Sequence, residues 1–286
     1  MLAPMVRVSD PAFRVVCREQ GASLAFTEML YAKAIIHKAP AVLSLVRASL
    51  LDCPLGVQLA ADEPKSLRGA VGIVAETADL IDLNLGCPVS KAERSGVGAI
   101  LLQKPDKVAE LVKAMRLASD KPITAKMRLL DSLSESVSLA KRIELAGADA
   151  LTVHGRTKQQ KRAGPVDFEA IRTIKESLSI PVINNGGIVD QKSLLEIQEK
   201  TNCDGFMLAR SAIGNPGIFA QLQGKKGISR EDGLKRYLEL CTELAFSNFG
   251  RIKQQSLRFT HAMNDPELHR KIEKSRSIVE ITMLIK

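Results

Sequence analysis

Two rhythms of apolar residues alternate along this chain. Short, β-prone apolar runs recur at residues 2–5 (LAPM), 23–29 (SLAFTEM), 54–59 (PLGVQL), 79–87 (DLIDLNLGC), 122–128 (PITAKMR), 150–156 (ALTVHGR), 181–188 (PVINNGGI) and 205–210 (GFMLAR). They read as strands. Between them, segments such as 104–118, 134–146, 168–178 and 191–201 place apolar residues three and four apart, as helices do. Strands alternating with helices predict an α/β fold, a (β/α)8 TIM barrel over residues 1–223. A doubly wound sheet is the alternative, disfavoured because no GxGxxG opens a helix after the first strand. The stretch 90–105 contains glycines and fits neither rhythm; an ordered loop near the site is expected there. From residue 224 the strand pattern stops. Apolar positions at Leu234, Tyr237, Leu238, Cys241, Leu244 and Ala245, then Ile272, Ile278, Val279 and Ile281, suit a small helical domain over 224–286 packed against the barrel.

A chain of 286 residues, 45% hydrophobic and 26% charged, is long enough to bury a sizeable core. No run approaches the eighteen or so apolar residues of a membrane span, and the start, MLAPMVRVSDP, lacks the head and apolar run of a signal peptide. A cytoplasmic protein with no membrane contact is expected. Five cysteines without CxxC spacing argue for reduced thiols rather than a disulfide framework or zinc site, and no cluster of His, Asp or Glu suggests a metal.

The net charge of +9 favours a polyanionic partner. Residues 223–286 hold thirteen basic and eight acidic side chains and so carry over half of that excess. A solvated helical face would look the same.

Barrel enzymes place their chemistry at the carboxyl ends of the strands. Those ends carry Met5, Glu28, Gln58, Asn84 with Cys87, Lys126 with Arg128, His154 with Arg156, Asn185 and Arg210. Polar side chains inside otherwise apolar strands are costly to bury without a partner, which points to an organic ligand. Cys87 stands between Gly86 and Pro88, residues that force a turn and present the thiol at a strand end; a buried structural thiol is the alternative. Asn185-Gly186-Gly187, then Ala209-Arg210 followed by a short helix over 215–222, match the phosphate site such barrels build after their last two strands. Glycines expose backbone N–H donors there, and Arg210 adds a charged fork.

LAPM, FTEM, VQL, DLNLGCPVSK, GVGAILL, TAKMR, LTVHGRT, PVINNGG and LARSAIGNPGIF occur in the order and spacing of the tRNA-dihydrouridine synthases, and the chain resembles that family over nearly all of residues 2–219. The resemblance implies an FMN enzyme that reduces the C5–C6 double bond of a uridine in tRNA, with NADPH or NADH as electron donor; a monomer is the expected form. It places Pro4, Met5, Val6, Gln58, Lys126 and His154 against the flavin ring, and Asn185, Gly186, Gly187, Ala209 and Arg210 on its ribityl phosphate. Cys87 resembles the catalytic proton donor, with Asn84, Lys91 and Arg156 around the uracil. A thiol suits that task because it is mostly protonated at neutral pH and yields its proton more readily than a hydroxyl.

Departures from the family's usual pattern are Gly187 where relatives often have aspartate, Ala209 where they often have glycine, and Lys161-Arg162 where an aromatic is usual. The chain also starts at the first strand, so an open barrel bottom is expected. Lys253, Arg258, Arg270, Lys271, Lys274 and Arg276 fall on polar faces of the helical segment and are expected to meet tRNA phosphates, since few aromatics are available for stacking. Two other readings compete. One is an FMN barrel oxidoreductase acting on a free pyrimidine, similar to dihydroorotate dehydrogenase; the other is a non-catalytic RNA-binding barrel.

Overall fold

The computed structural model describes residues 1–46, 49–161 and 163–285; Arg162 of the Lys161-Arg162 pair and Lys286 lie outside the described residues. Its strands are β1 (Ala25–Phe26), β2 (Leu30–Tyr31), β3 (Leu55–Ala60), β4 (Leu80–Leu85), β5 (Ile123–Leu129), β6 (Ala150–Thr157), β7 (Val182–Asn185) and β8 (Gly205–Met207). All pair in parallel in sequence order, with β1 and β2 both lying along β3 as two pieces of one stave.

Leu2 bridges Ala25 on one side and Leu208 on the other, so residues 1–3 join the two ends of the sheet into a barrel. The expected strand over 2–5 shrinks to this bridge. Pro4 has no N–H to give a ladder, and the Met5 N–H turns aside to Ser9 Oγ at 3.1 Å.

The helices of the barrel are α1 (Pro11–Glu19), α2 (Ala32–Ile36), α3 (Pro40–Val46), α4 (Pro64–Val74), α5 (Ser90–Arg94), α6 (Pro105–Arg116), α7 (Leu133–Leu145), α8 (Phe168–Glu176), α9 (Gln191–Thr201) and α10 (Ile218–Gln221). Local chemistry starts several of them. Asp10 caps α1 by accepting from the Phe13 N–H, with Pro11 in the first turn, and Asp190 with Ser193 forms a capping box on α9. The expected loop 90–105 is ordered, and contains α5 and a 3-10 turn over Gly98–Gln103.

Strand residues alternate between the outer face, where Val57, Leu59, Ile81, Leu83, Ala125, Met127, Leu151 and Val153 pack under the helices, and the barrel interior. Register sorts the interior into layers. At the amino-terminal end Ala3, Phe26, Ile183 and Met207 form an apolar plug, with Met1, Leu24, Leu80 and Ala150 against it. This bottom, expected to be open, is filled. Above it lie Gln58, Asp82 and Thr124, then Asn84, Lys126 and Thr152, then His154 and Asn185. Polarity therefore rises toward the carboxyl ends of the strands.

Helices α11 (Arg230–Glu243), α12 (Phe249–Met263), α13 (Pro266–Lys274) and α14 (Ile278–Met283) complete the chain. They share the barrel's core. The Phe259 ring meets Phe13 edge-on at 6.2 Å and Tyr237 at 6.1 Å, and the Tyr237 hydroxyl donates to buried Asp10 at 3.1 Å. Among the described residues no helix is long and apolar enough to cross a membrane, and no group of three His, Cys, Asp or Glu could hold a metal.

Candidate active site

Cys87 is half-buried one turn past the end of β4. Asn84, the penultimate strand residue, folds its Oδ1 back to accept the N–H groups of Gly86 (3.2 Å) and Cys87 (3.0 Å), so its side chain closes the turn that the glycine and proline open. From the other side, Ala99 N–H donates to the Cys87 carbonyl at 3.0 Å. Gly98 makes that approach possible: it has φ +78°, and a Cβ there would lie 2.6 Å from the Cys87 carbonyl oxygen. The thiol is thus carried on a short, doubly braced turn. α5 follows directly, and Glu93 on it pairs with Lys158 beyond β6.

Beneath the turn runs an ordered chain of side chains. Asn84 Nδ2 donates to Gln58 Oε1 at 2.7 Å, Gln58 Nε2 donates to Asp82 Oδ2 at 2.7 Å, and Thr124 Oγ1 donates to Asp82 Oδ1 at 2.6 Å. Burial pushes the Asp82 carboxyl up to about 6, against the pull of these donors and of the Lys126 charge.

Across the barrel, Lys126 Nζ donates to Asn185 Oδ1 at 2.7 Å, and Asn185 Nδ2 donates to the Met207 carbonyl at 2.8 Å. Burial, with Arg128 nearby, brings Lys126 down to about 8. His154 stands between β5 and β7. Burial, together with the charges of Lys126, Arg128, Arg156 and Arg210, pushes it down to about 2, so it is neutral at any working pH. Arg156 is buried, donates from Nε to the Gly164 carbonyl at 2.9 Å and lies 3.3 Å from His154 Nε2.

The carboxyl ends of β7 and β8 supply donors without acceptors. Gly186 and Gly187 have φ +116° and +90°, and a Cβ on Gly187 would meet the Phe168 ring at 2.7 Å. Among the described residues the backbone N–H groups of Gly186, Gly187, Ala209 and Arg210 have no partner, and Lys126, Arg156 and Arg210 pair with no carboxylate. Cations without a carboxylate and backbone donors without acceptors at neighbouring strand ends fit the phosphate of an organic ligand.

Of the residues expected at the site, Asn84, Cys87, Gln58, Lys126, His154, Arg156 and Asn185 come together around the upper barrel. Gly186, Gly187, Ala209 and Arg210 form its β7–β8 rim, and Pro4, Met5 and Val6 form the rim beside them, with Val6 53% exposed. Lys91 is exposed on α5, without a partner among the described residues. Two strand-end residues turn out to be engaged by the protein itself. Glu28 pairs with Arg251 on α12 at 2.7 Å, and Arg128 donates to the carbonyls of Gly86, Thr157 and Lys161. In the helical segment, Arg258 is tied to the Arg7 carbonyl and Lys253 to the Ser275 carbonyl, whereas Arg270, Lys271, Lys274 and Arg276 are exposed. Sequence reasoning passed over Asp82 and Thr124. Their signal was present, since both are polar residues inside otherwise apolar strands.

The chain matches the family described as "Dihydrouridine synthase (Dus)" over residues 1–270. It is 37% identical over 266 residues to tRNA-dihydrouridine synthase B of Proteus vulgaris, covering 91% of this chain and 78% of that one. A Homo sapiens protein named as tRNA-dihydrouridine(20a/20b) synthase-like is 39% identical over 221 residues, covering 76% and 69% of the two chains. The Schizosaccharomyces pombe tRNA-dihydrouridine(20a/20b) synthase is 36% identical over 220 residues, covering 76% and 67%.

Proposed function

The chain belongs to the dihydrouridine synthase family, and on that premise we propose how it reduces the C5–C6 double bond of uridine in tRNA as an NAD(P)H-dependent oxidoreductase. The observation that carries the reading is the upper barrel layer, where cations without a carboxylate partner and backbone donors without acceptors share the strand ends with a cysteine held on a braced turn. Gly186, Gly187, Ala209 and Arg210 are suited to hold the phosphate of FMN, and Lys126, His154, Asn185 and the Pro4–Val6 segment its ribityl chain and ring. When bound and reduced, FMN supplies a hydride to C6 of the uracil.

The remaining chemistry belongs to the chain. Cys87 gives the proton that C5 requires, while Asn84 orients the uracil and sets the thiol's position through the Cys87 N–H. Lys91 and Arg156 are suited to stabilise negative charge on the uracil carbonyls. Neutral His154 acts as a hydrogen-bonding partner rather than as a charge. The helical segment from 224 onward is the tRNA-binding part, with Arg270, Lys271, Lys274 and Arg276 toward the phosphates.

Cys87→Ala tests the assignment. The variant is expected to retain FMN and to be reduced by NADPH, yet to form dihydrouridine about 10²- to 10⁴-fold more slowly, the usual worth of a general acid. A normal rate of tRNA modification would make the cysteine structural.

A further inference from the structure

Two residues past Met5, the backbone adopts a conformation that the flavin site does not explain. Arg7 has φ +62°, a left-handed geometry that is strained for a residue with a Cβ. It is braced from both sides. Its N–H donates to Glu28 Oε2 at 2.7 Å, and its carbonyl accepts from Arg258 Nη1 at 2.8 Å. Glu28 is itself gripped by both terminal nitrogens of Arg251, at 2.7 and 3.0 Å. Arg251 and Arg258 both stand on α12. Two arginines of the helical segment thus hold one loop of the barrel rim.

The Arg7 side chain is left over. It is exposed beside half-exposed Val6, and among the described residues it has no hydrogen-bond or ion-pair partner. Its guanidinium repels that of Arg258. A strained backbone persists where its surroundings over-determine it, and such positions collect at binding sites. Here the surroundings fix where a cation is presented.

We propose that Arg7 binds a backbone phosphate of the RNA strand beside the target uridine, and that α12 sets its position. The inference rests on the function proposed above. A base that enters the barrel must leave its stack and draws its flanking phosphodiesters to the rim. The planar guanidinium fork matches a phosphate in both charge and shape. Arg7 also stands on the rim next to residues placed against the cofactor, so its reach is to the target nucleotide rather than to the body of the tRNA.

The test uses the full-length holoenzyme and an unmodified tRNA transcript, with affinity measured across a salt series. Arg7→Gly and Arg7→Gln are each expected to weaken binding about tenfold and to flatten the dependence of log Kd on log salt by about one. Arg7→Lys should keep most of the wild-type slope. Arg7→Gly should melt no lower than wild type, since glycine accepts the left-handed backbone without strain. Wild-type affinity and slope in both Arg7→Gly and Arg7→Gln overturn the proposal. If the unsubstituted enzyme neither binds tRNA nor forms dihydrouridine, the function itself fails; if it does both and the Arg7 variants match it, only Arg7 is reassigned.

Discussion

Asp82 and Gln58 are joined by a 2.7 Å hydrogen bond whose direction is dictated rather than chosen. An ionised carboxylate can only accept, so Gln58 must turn Nε2 toward it and leave Oε1 for Asn84. Asn84 then gives Nδ2 to Gln58 and keeps Oδ1 for the N–H groups of Gly86 and Cys87. One buried charge thereby orients two amides and the turn that carries the thiol.

Asp82→Asn should disorder that chain. The amide offers one acceptor and one donor where Thr124 and Gln58 both donate, so one contact is lost or reversed. Misplaced hydrogen bonds of this kind cost roughly 1–3 kcal/mol. Dihydrouridine formation is expected to fall about ten- to a hundredfold, with FMN retained by absorbance and its reduction by NADPH preserved. An unchanged rate of tRNA modification would show that the amides hold their orientation without the carboxylate.

The same carboxyl predicts an acid limb in the pH–rate profile. Asp82 titrates near 6 in the folded protein, above the 3.8 of an ordinary aspartate. Below that pH it gains a proton and ceases to be a pure acceptor, so single-turnover dihydrouridine formation should decline with a midpoint of about 6. Stability should move the other way. A raised folded-state pKa favours the fold at low pH and loses that contribution as pH rises through the folded value, so Asp82 does not itself unfold the protein as activity falls. Buried Asp10, raised to about 6 by the same desolvation, adds to this trend. Circular dichroism across pH 5 to 7, measured beside the rate, separates the two; an acid limb that coincides with unfolding would remove the assignment.

Arg210 is exposed and without a partner among the described residues, at the end of β8 beside donors that lack acceptors. Arg210→Ala should weaken FMN retention by about ten- to a hundredfold, the worth of a charge-assisted contact. Titration of apoprotein with FMN reads this directly. Equal affinity in the variant would move the phosphate elsewhere.

Phe259 on α12 joins the helical segment to α1 through Phe13, packs within the segment on Tyr237 of α11, and is fully buried. Phe259→Ala should cost about 3–5 kcal/mol, and the whole chain should melt in one transition, because a continuous core runs through both parts. Two separate transitions in the wild-type protein would show that the parts fold independently. A deletion of the segment from 224 onward would expose this joint, so point substitutions on the exposed face are the better probe of tRNA binding.

Six of the barrel's staves, β3 to β8, were legible in the sequence because each is a short, β-prone apolar run. Polar residues inside or at the end of such runs mark Gln58, Asn84, Lys126 and His154 as site residues. What was not legible depends on partners far along the chain. Glu28 looks like a ligand group until Arg251, 223 residues away, is found against it. Arg258 and Lys253 look like a solvated basic face until the carbonyls of Arg7 and Ser275 are found to accept their hydrogen bonds. Arg7 gives no local signal at all, since neither a glycine nor an asparagine announces its left-handed backbone. The first stave was misjudged for a simpler reason: Pro4 limits the ladder to a single bridge.

That bridge sets an order of events during synthesis. Leu2 leaves the ribosome long before its partner Leu208, which belongs to the last stave, and Met1 to Phe206 is a hydrogen bond spanning 205 residues. At about 5–20 residues per second, that interval lasts roughly 10–40 seconds. Throughout it, both edges of the growing sheet stay open, and the apolar plug lacks its last contributor, Met207. The nascent chain therefore carries an unpaired strand edge for the whole of that interval, in which chaperone capture or aggregation competes with ring closure.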